Sequence, residues 1–484
     1  MMFVKRSLSH GSKKSQMNFL FQSFSLSASV DRIRCALTVC FFVSFLTLSV
    51  CSTCVAINVS SKIFPDVVDL KIPRYIQVYG AKDIFLTYTD DKNNISIVNA
   101  TTNKKWIVNT KHSGFDSGLV SIISGDNVFL VWRRKTNEKS LWFSQLDVIK
   151  QAIGKPILVD KATQPLTRID MARLDNKLFL LWYGELSHRG RNYSMYASYY
   201  PNDSKTNTFS KPVRLTEGYK WAIYPRLLKG DKGVYAFTEA IRYDNKTHEL
   251  VVAKFENNEW QPLRVIGKIG VMSLFLRAIK VQNRICVFWF NFYDGEPVTE
   301  MAYSDDGGVT WKRHVFEDTR GLDLTGLHVA SNGKNRLYVV LSGVRLDKEG
   351  AEEAQEGKKD LVYFMYSGDG GSTWSSLRPL RHYPFTHTRA HIPNIVAHDD
   401  TVVVVWNDYR NIRGNLYMNY STDGGKTWQD HDIPLEEPGK YNTRLHWDVN
   451  NLKYKNGKYY LLAHRFESDL LEKAHPLFIE FRLP

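Results

Sequence analysis

Short apolar runs separated by polar turns recur along residues 66–484. In the clearest stretch, His391 to Trp428, the chain reads HIPNIVAHDD, then TVVVVWNDYR, then GNLYMNYSTDGGKTW. Each run is rich in β-branched and aromatic residues and ends at a cluster of Asp, Asn or Gly, which predicts three short strands joined by tight turns. Weaker copies start at Pro73, Gly118, Arg168, Tyr224, Phe275, Leu327 and Trp447, making eight units in all. The 419 residues from Asp66 onward divide into about 52 per unit, near the spacing of four-stranded propeller blades. A fourth run comes after most units, as in KPILVD, KPVRLTE, QPLRVIG and HDIPLEE, whereas the last unit ends in HPLFIEFRLP and has none. Asp66 to Lys71 (DVVDLK) has the form of that missing outer strand, and its pairing with the last unit would close the ring without an exposed edge. The predicted fold is all-β, a β-propeller of eight four-stranded blades, with seven as the alternative. A β-sandwich would not require evenly spaced copies.

The start of the chain has a different pattern. Residues 1–34 form a basic tail with Lys5, Arg6, Lys13, Lys14, Arg32 and Arg34 against the single acid Asp31. From Cys35 to Ile57 there is no charge and mostly apolar sequence, long enough to cross a bilayer as one helix. The expected arrangement is a signal-anchor at 35–57, or a cleaved signal peptide, then a linker at 58–65 and the propeller at 66–484. Positive charge before the apolar run predicts a cytosolic tail and a lumenal or extracellular body, so membrane attachment is expected through the N-terminal segment. Sequons at Asn58, Asn94, Asn99, Asn192, Asn202, Asn245 and Asn419 fit such a body as glycosylation sites.

With 43% hydrophobic residues and 63 aromatic side chains (26 Phe, 25 Tyr, 12 Trp), the chain has ample material for a packed core, which excludes disordered and fibrous classes. Lys and Arg exceed Asp and Glu by 14, but outside the basic tail the two signs alternate. That pattern argues against nucleic acid and for an anionic ligand held at one place. Cys286 is the only cysteine beyond the N-terminal segment, so no intramolecular disulfide braces the body.

Three units carry Ser-x-Asp-x-Gly-x-Thr-Trp in full: Ser304, Asp306, Gly308, Thr310 and Trp311; Ser367, Asp369, Gly371, Thr373 and Trp374; and Ser421, Asp423, Gly425, Thr427 and Trp428. Ser and Asp suit a loop whose amides need acceptors, Gly a turn of positive φ, and Trp the gap between neighbouring strands. With these motifs the chain resembles the Asp-box (BNR) repeat propellers of the sialidase superfamily. The resemblance implies a structural role for the boxes, on the face opposite the active site. It also implies six blades, an Arg-Ile-Pro motif, three arginines gripping a substrate carboxylate, an aspartate acid/base and a tyrosine nucleophile activated by glutamate. Here the corresponding motif is Lys71-Ile72-Pro73, and lysine cannot make the flat two-pronged contact of guanidinium with carboxylate.

In a propeller the starts of the inner strands and the loops between second and third strands share one face. Alignment of the units puts Arg74, Arg226, Arg277, His328 and Asn394 there as ligand-binding candidates. Asp170 and Asp448 join them as acid/base candidates, with Glu239 and Tyr243 on a loop. Such a ring suits an anionic sugar, and paired acids are what glycoside hydrolysis requires. No metal or cofactor is implied, since zinc-ligand spacing and phosphate-cradling glycine loops are lacking. Two functions remain open: a membrane-tethered or secreted sialidase-like exo-glycosidase acting on an anionic glycan or glycoconjugate, or a non-catalytic lectin-like or protein-binding propeller.

Overall fold

The computed structural model describes residues 57–484 except 69–73, 81–82, 93, 109–114, 136–138, 186–191, 202–207, 271–274, 294, 346–359, 381, 383–387 and 472. The basic tail, nearly all of the apolar segment, Lys71-Ile72-Pro73 and the sequon at Asn202 lie outside the described residues. Among the described residues no helix is long and apolar enough to cross a membrane.

Eight antiparallel sheets succeed one another along the chain. Their inner strands are Tyr75–Tyr79, Phe115–Ser124, Pro165–Leu174, Tyr219–Lys229, Arg277–Val281, Leu322–Ser331, Ala390–His398, and the split pair Asn442–Arg444 with Leu452–Lys455. Each inner strand packs beside the next and the eighth returns to the first, so the fold is a closed propeller of eight blades, numbered here in that order. Second strands are covered by neighbouring blades on both faces and are largely apolar, with polar residues toward their ends. In Thr401–Asn411, every residue from Val402 to Asp408 is buried.

The ring closes within blade 8, though by a different segment from the one expected. Asn58–Ile63 pairs antiparallel with Ala474–Arg482, setting Asn58 opposite Arg482 and Ile63 opposite Leu477. Residues 58–63 are therefore the outer strand rather than a linker, and that role does not fall to Asp66–Lys71. Within the latter segment Val68, with Phe64, is buried among Ile76, Leu86, Tyr460 and Phe478 between blades 8 and 1. The core as a whole is divided into such layers, as between blades 5 and 6, where Phe288 and Met301 meet Leu327 and Val339.

The three Ser-x-Asp-x-Gly-x-Thr-Trp segments form equivalent turns after the third strands. In the blade 7 turn the Ser421 hydroxyl donates to Asp423 at 2.7 Å and accepts the Gly425 amide at 2.8 Å. The Asp423 carboxylate accepts the amide and hydroxyl of Thr427, and Gly425 takes φ 85°. Partial burial opposes ionisation of Asp369 and Asp423, yet the donors around them bring both carboxyls down to about 2. Each tryptophan reaches back to the preceding blade: Trp311 meets Phe237 edge-on, Trp374 meets Phe288 and Trp428 meets Phe364. The pairing registers set these turns at the end of each sheet opposite the starts of the inner strands.

Candidate functional site

A repeated backbone irregularity sets the inner-strand side chains. Tyr224, Phe275 and Ile392, each two residues before Arg226, Arg277 and Asn394, adopt positive φ of 57°, 67° and 54°. Register shifts fall at the same places in blades 4 and 7. A bulge inserts one residue and re-aims the side chains after it. In blade 4 the re-aimed side chain is Arg226, and in blade 5 Arg277 opens the inner strand two residues after Phe275; both line the central cavity.

Blade 8 supplies the opposing charge. Residues 445–451 interrupt its inner strand and carry Asp448. This excursion is held by amide side chains: Asn407 accepts the Leu445 amide at 2.8 Å, Asn394 accepts the Asn451 amide at 2.7 Å, and Asn451 donates to the Arg74 carbonyl at 2.8 Å. Asp448 Oδ1 then receives Arg226 Nη2 at 2.8 Å and Arg277 Nη1 at 3.3 Å, while Oδ2 receives Arg168 Nη1 at 3.4 Å. Three guanidinium groups from three successive blades thus meet on one carboxylate contributed from a fourth.

Around this cluster lies a cavity of about 390 Å³, whose lining includes Tyr75, Asp170, His328 and Lys453 besides the arginines and Asp448. Asp170 is tied to the backbone, Oδ1 accepting the Met171 amide and Oδ2 the Leu227 amide, both at 2.8 Å. Burial opposes ionisation of Asp448, but Arg226, Arg277 and Arg168 hold its carboxyl well below the usual range. Burial pushes Asp170 upward against the pull of Arg226 and the two amides. Burial and the neighbouring Arg226 bring Arg277 down to about 10. The Tyr75 phenol, pushed up by burial and then by Asp448 and Asp170, stays protonated. His328 is driven well below its ordinary value by burial and Arg277 and stays neutral. Even with both aspartates ionised, three guanidiniums leave a positive excess facing the cavity. Among the described residues Arg277 Nε has no acceptor.

The sequence-based candidates divide. Arg226, Arg277, Asp170, Asp448 and His328 come together at this cavity. Arg74 does not line it, but is buried in the electrostatic neighbourhood of His446 and His464 of blade 8. The third guanidinium is Arg168 instead. Its neighbour by two residues, Asp170, lies on the same face of the strand, because side chains alternate, and that spacing was the available signal. Asn394 is fully buried and positions the blade 8 excursion instead of facing a ligand. Glu239 and Tyr243 do not form a pair. Glu239 is buried on the second strand of blade 4 with His248 Nδ1 at 3.6 Å, whereas Tyr243 lies in the turn beyond that strand and is 57% exposed.

Among the sequons, Asn99 and Asn419 are fully buried with their amide nitrogens donating to Asp83 and to the Gln429 carbonyl, so the folded chain does not present them for modification. Asn245 is exposed, and Asn94 and Asn192 are half-buried. Among the described residues no cluster of His, Cys, Asp or Glu is arranged to hold a metal ion.

No family model matches the chain. Over 211 residues it is 25% identical to a sialidase of Bacteroides fragilis (strain YCH46), a match covering 40% of this chain and 36% of that protein. The chain therefore spans about a third of that relative's length. Among solved structures it is similar to the polysaccharide lyase Uly1, at 13% identity and a TM-score of 0.49, covering 78% of this chain and 93% of that one. It is also similar to the NanB sialidase from Streptococcus pneumoniae, at 9% identity and a TM-score of 0.36, covering 88% and 94%.

Proposed function

We propose that this propeller binds an anionic glycan through a sugar carboxylate or sulfate seated on Arg168, Arg226 and Arg277 at the centre of the ring. The observation that carries this reading is the convergence of three guanidiniums on the single carboxylate of Asp448, beside a cavity with positive charge in excess. Forked guanidinium donors suit planar oxyanions, and a cavity of about 390 Å³ is in the range of small-ligand sites. The similarity to a sialidase supports a glycan over other anions. Calorimetric titration of the protein with N-acetylneuraminate, D-glucuronate and N-acetylgalactosamine 4-sulfate, with lactose as the neutral control, tests it. At least one anionic sugar binds and lactose does not. Arg277→Lys weakens that binding on the order of tenfold although charge is kept, because the fork is lost. Equal binding of lactose, or indifference to Arg277→Lys, contradicts the reading.

A catalytic reading, hydrolysis by a sialidase-like mechanism, draws on Asp170 and Asp448, whose surroundings push their carboxyls in opposite directions as acid/base pairs require. Against it stand the separation of Tyr243 from Glu239 and the engagement of both Asp170 oxygens by backbone amides. Release of fluorophore from a sialoside, lost in Asp170→Asn, would establish catalysis. The same proposal includes an N-terminal membrane segment and a lumenal propeller. Endoglycosidase treatment of protein from a glycosylating host then increases its gel mobility, through sites such as Asn245. An unchanged mobility contradicts the lumenal location.

A further inference from the structure

Beside the arginine cavity, and sharing Arg168 with it, is a smaller recess of about 150 Å³ lined by Arg168, Tyr183, Tyr193, Trp221, Ile223 and Tyr224. Apart from the guanidinium, its walls are aromatic and aliphatic. Tyr183 comes from the end of the second strand of blade 3, Tyr193 from the start of its third, and Trp221 from the start of the inner strand of blade 4. All three lie on the face where inner strands begin, away from the box turns.

The rings are ordered by one another. Tyr193 and Trp221 stack with centroids 5.8 Å apart and planes at 24°, and Tyr183 meets Tyr193 edge-on at 6.0 Å. Arg168 links this recess to the cavity, its guanidinium lying 4.2 Å from the Tyr224 ring centroid and 5.2 Å from that of Trp447, which is 42% exposed. Its ion pair with Asp448 is the longest of the three. Ordered, half-exposed aromatic rings offer flat apolar surface at little entropic cost. The axial C–H face of a pyranose is a fitting complement, since its hydroxyls stay at the rim while its apolar side is covered. A recess of about 150 Å³ is of the size of one sugar ring.

We propose that this shelf is a second sugar subsite, so that the ligand is an oligosaccharide. Its anionic unit sits on the arginines and the adjoining unit lies against Trp221 and Tyr193, with Arg168 serving both. This rests on the anion-binding reading and narrows it, because a free anionic monosaccharide fills only half of the site.

Titration of the full-length protein with matched pairs tests it: N-acetylneuraminate against 3′-sialyllactose, D-glucuronate against a hyaluronan tetrasaccharide, and N-acetylgalactosamine 4-sulfate against a chondroitin 4-sulfate tetrasaccharide. In at least one pair the oligosaccharide binds about tenfold more tightly than its monosaccharide. Trp221→Ala abolishes that difference and leaves the monosaccharide affinity unchanged, while Trp221→Phe, which keeps an aromatic face, retains most of it. The Phe variant also guards against a folding defect in the Ala variant. If a monosaccharide binds and responds to Arg277→Lys but no oligosaccharide binds more tightly, or Trp221→Ala weakens both members of a pair alike, the shelf is overturned and the anion site stands. If none of the six probes binds, both fall.

Discussion

Four largely buried histidines occupy the face of the ring that carries the arginines, and their neutrality has a measurable consequence. Burial and Arg74 bring His446 down to about 3, burial brings His391 to about 4, and His328 and His464 lie well below their ordinary value. In the unfolded chain these imidazoles titrate near 6.5. Below that pH the unfolded state takes up protons the folded state cannot, so stability is fully present above about 6.5 and is lost as pH falls toward the folded values. At pH 5 each such histidine costs about 2 kcal/mol. Asp170, with its carboxyl pushed upward, acts in the opposite sense, so the histidine contribution is best read by difference. His446→Gln is expected to flatten the fall in melting temperature between pH 7.5 and 5. A variant as acid-sensitive as wild type contradicts the assignment. At this scale much was legible: register alone located Arg226, Arg277, Asp170, Asp448 and His328. Arg74 and Asn394 sat at matching register positions, but the excursion in blade 8 occupies their surroundings, and no local pattern announces such an excursion.

At the scale of elements, two devices recur, the positive-φ residue two places before Arg226, Arg277 and Asn394 and the turn of each Ser-x-Asp-x-Gly-x-Thr-Trp motif. The turns were legible because their chemistry is local, with every hydrogen bond of the Asp423 network falling within Ser421 to Thr427. Trp428 is only half-buried, so Trp428→Ala is expected to destabilise by about 2 kcal/mol, less than a fully buried tryptophan, with anionic-sugar affinity unchanged at the opposite face. Denaturant unfolding and titration of the same sample check both halves. Loss of binding at full stability would mean that the turns take part in recognition. These irregularities were not legible, since the positive φ at Tyr224, Phe275 and Ile392 falls on bulky or β-branched residues that do not favour it. The closing strand was missed for a related reason. Asn58–Ile63 (NVSSKI) is an outer strand with four of its six residues exposed, and so carries little apolar signal.

For the whole molecule, closure of the ring depends on that strand. Without it, Ala474–Arg482 presents an unpaired edge, a template for association. A chain beginning at Pro65 is expected to melt lower and scatter light on heating, whereas one beginning at Ile57 behaves as a closed propeller. Equal melting of the two contradicts the closure. Closure also sets the site, because Asp448 of blade 8 reaches Arg168, Arg226 and Arg277 only when blades 8 and 3 to 5 face one channel. The most direct measurement is a crystal structure of the protein with its tightest-binding anionic sugar. The expected result is a carboxylate or sulfate within hydrogen-bonding distance of at least two of Arg168, Arg226 and Arg277, inside the central cavity. A sugar bound at the box-turn face, or on the outer strands with the arginine cluster left untouched, would contradict the assignment of this channel as the glycan site.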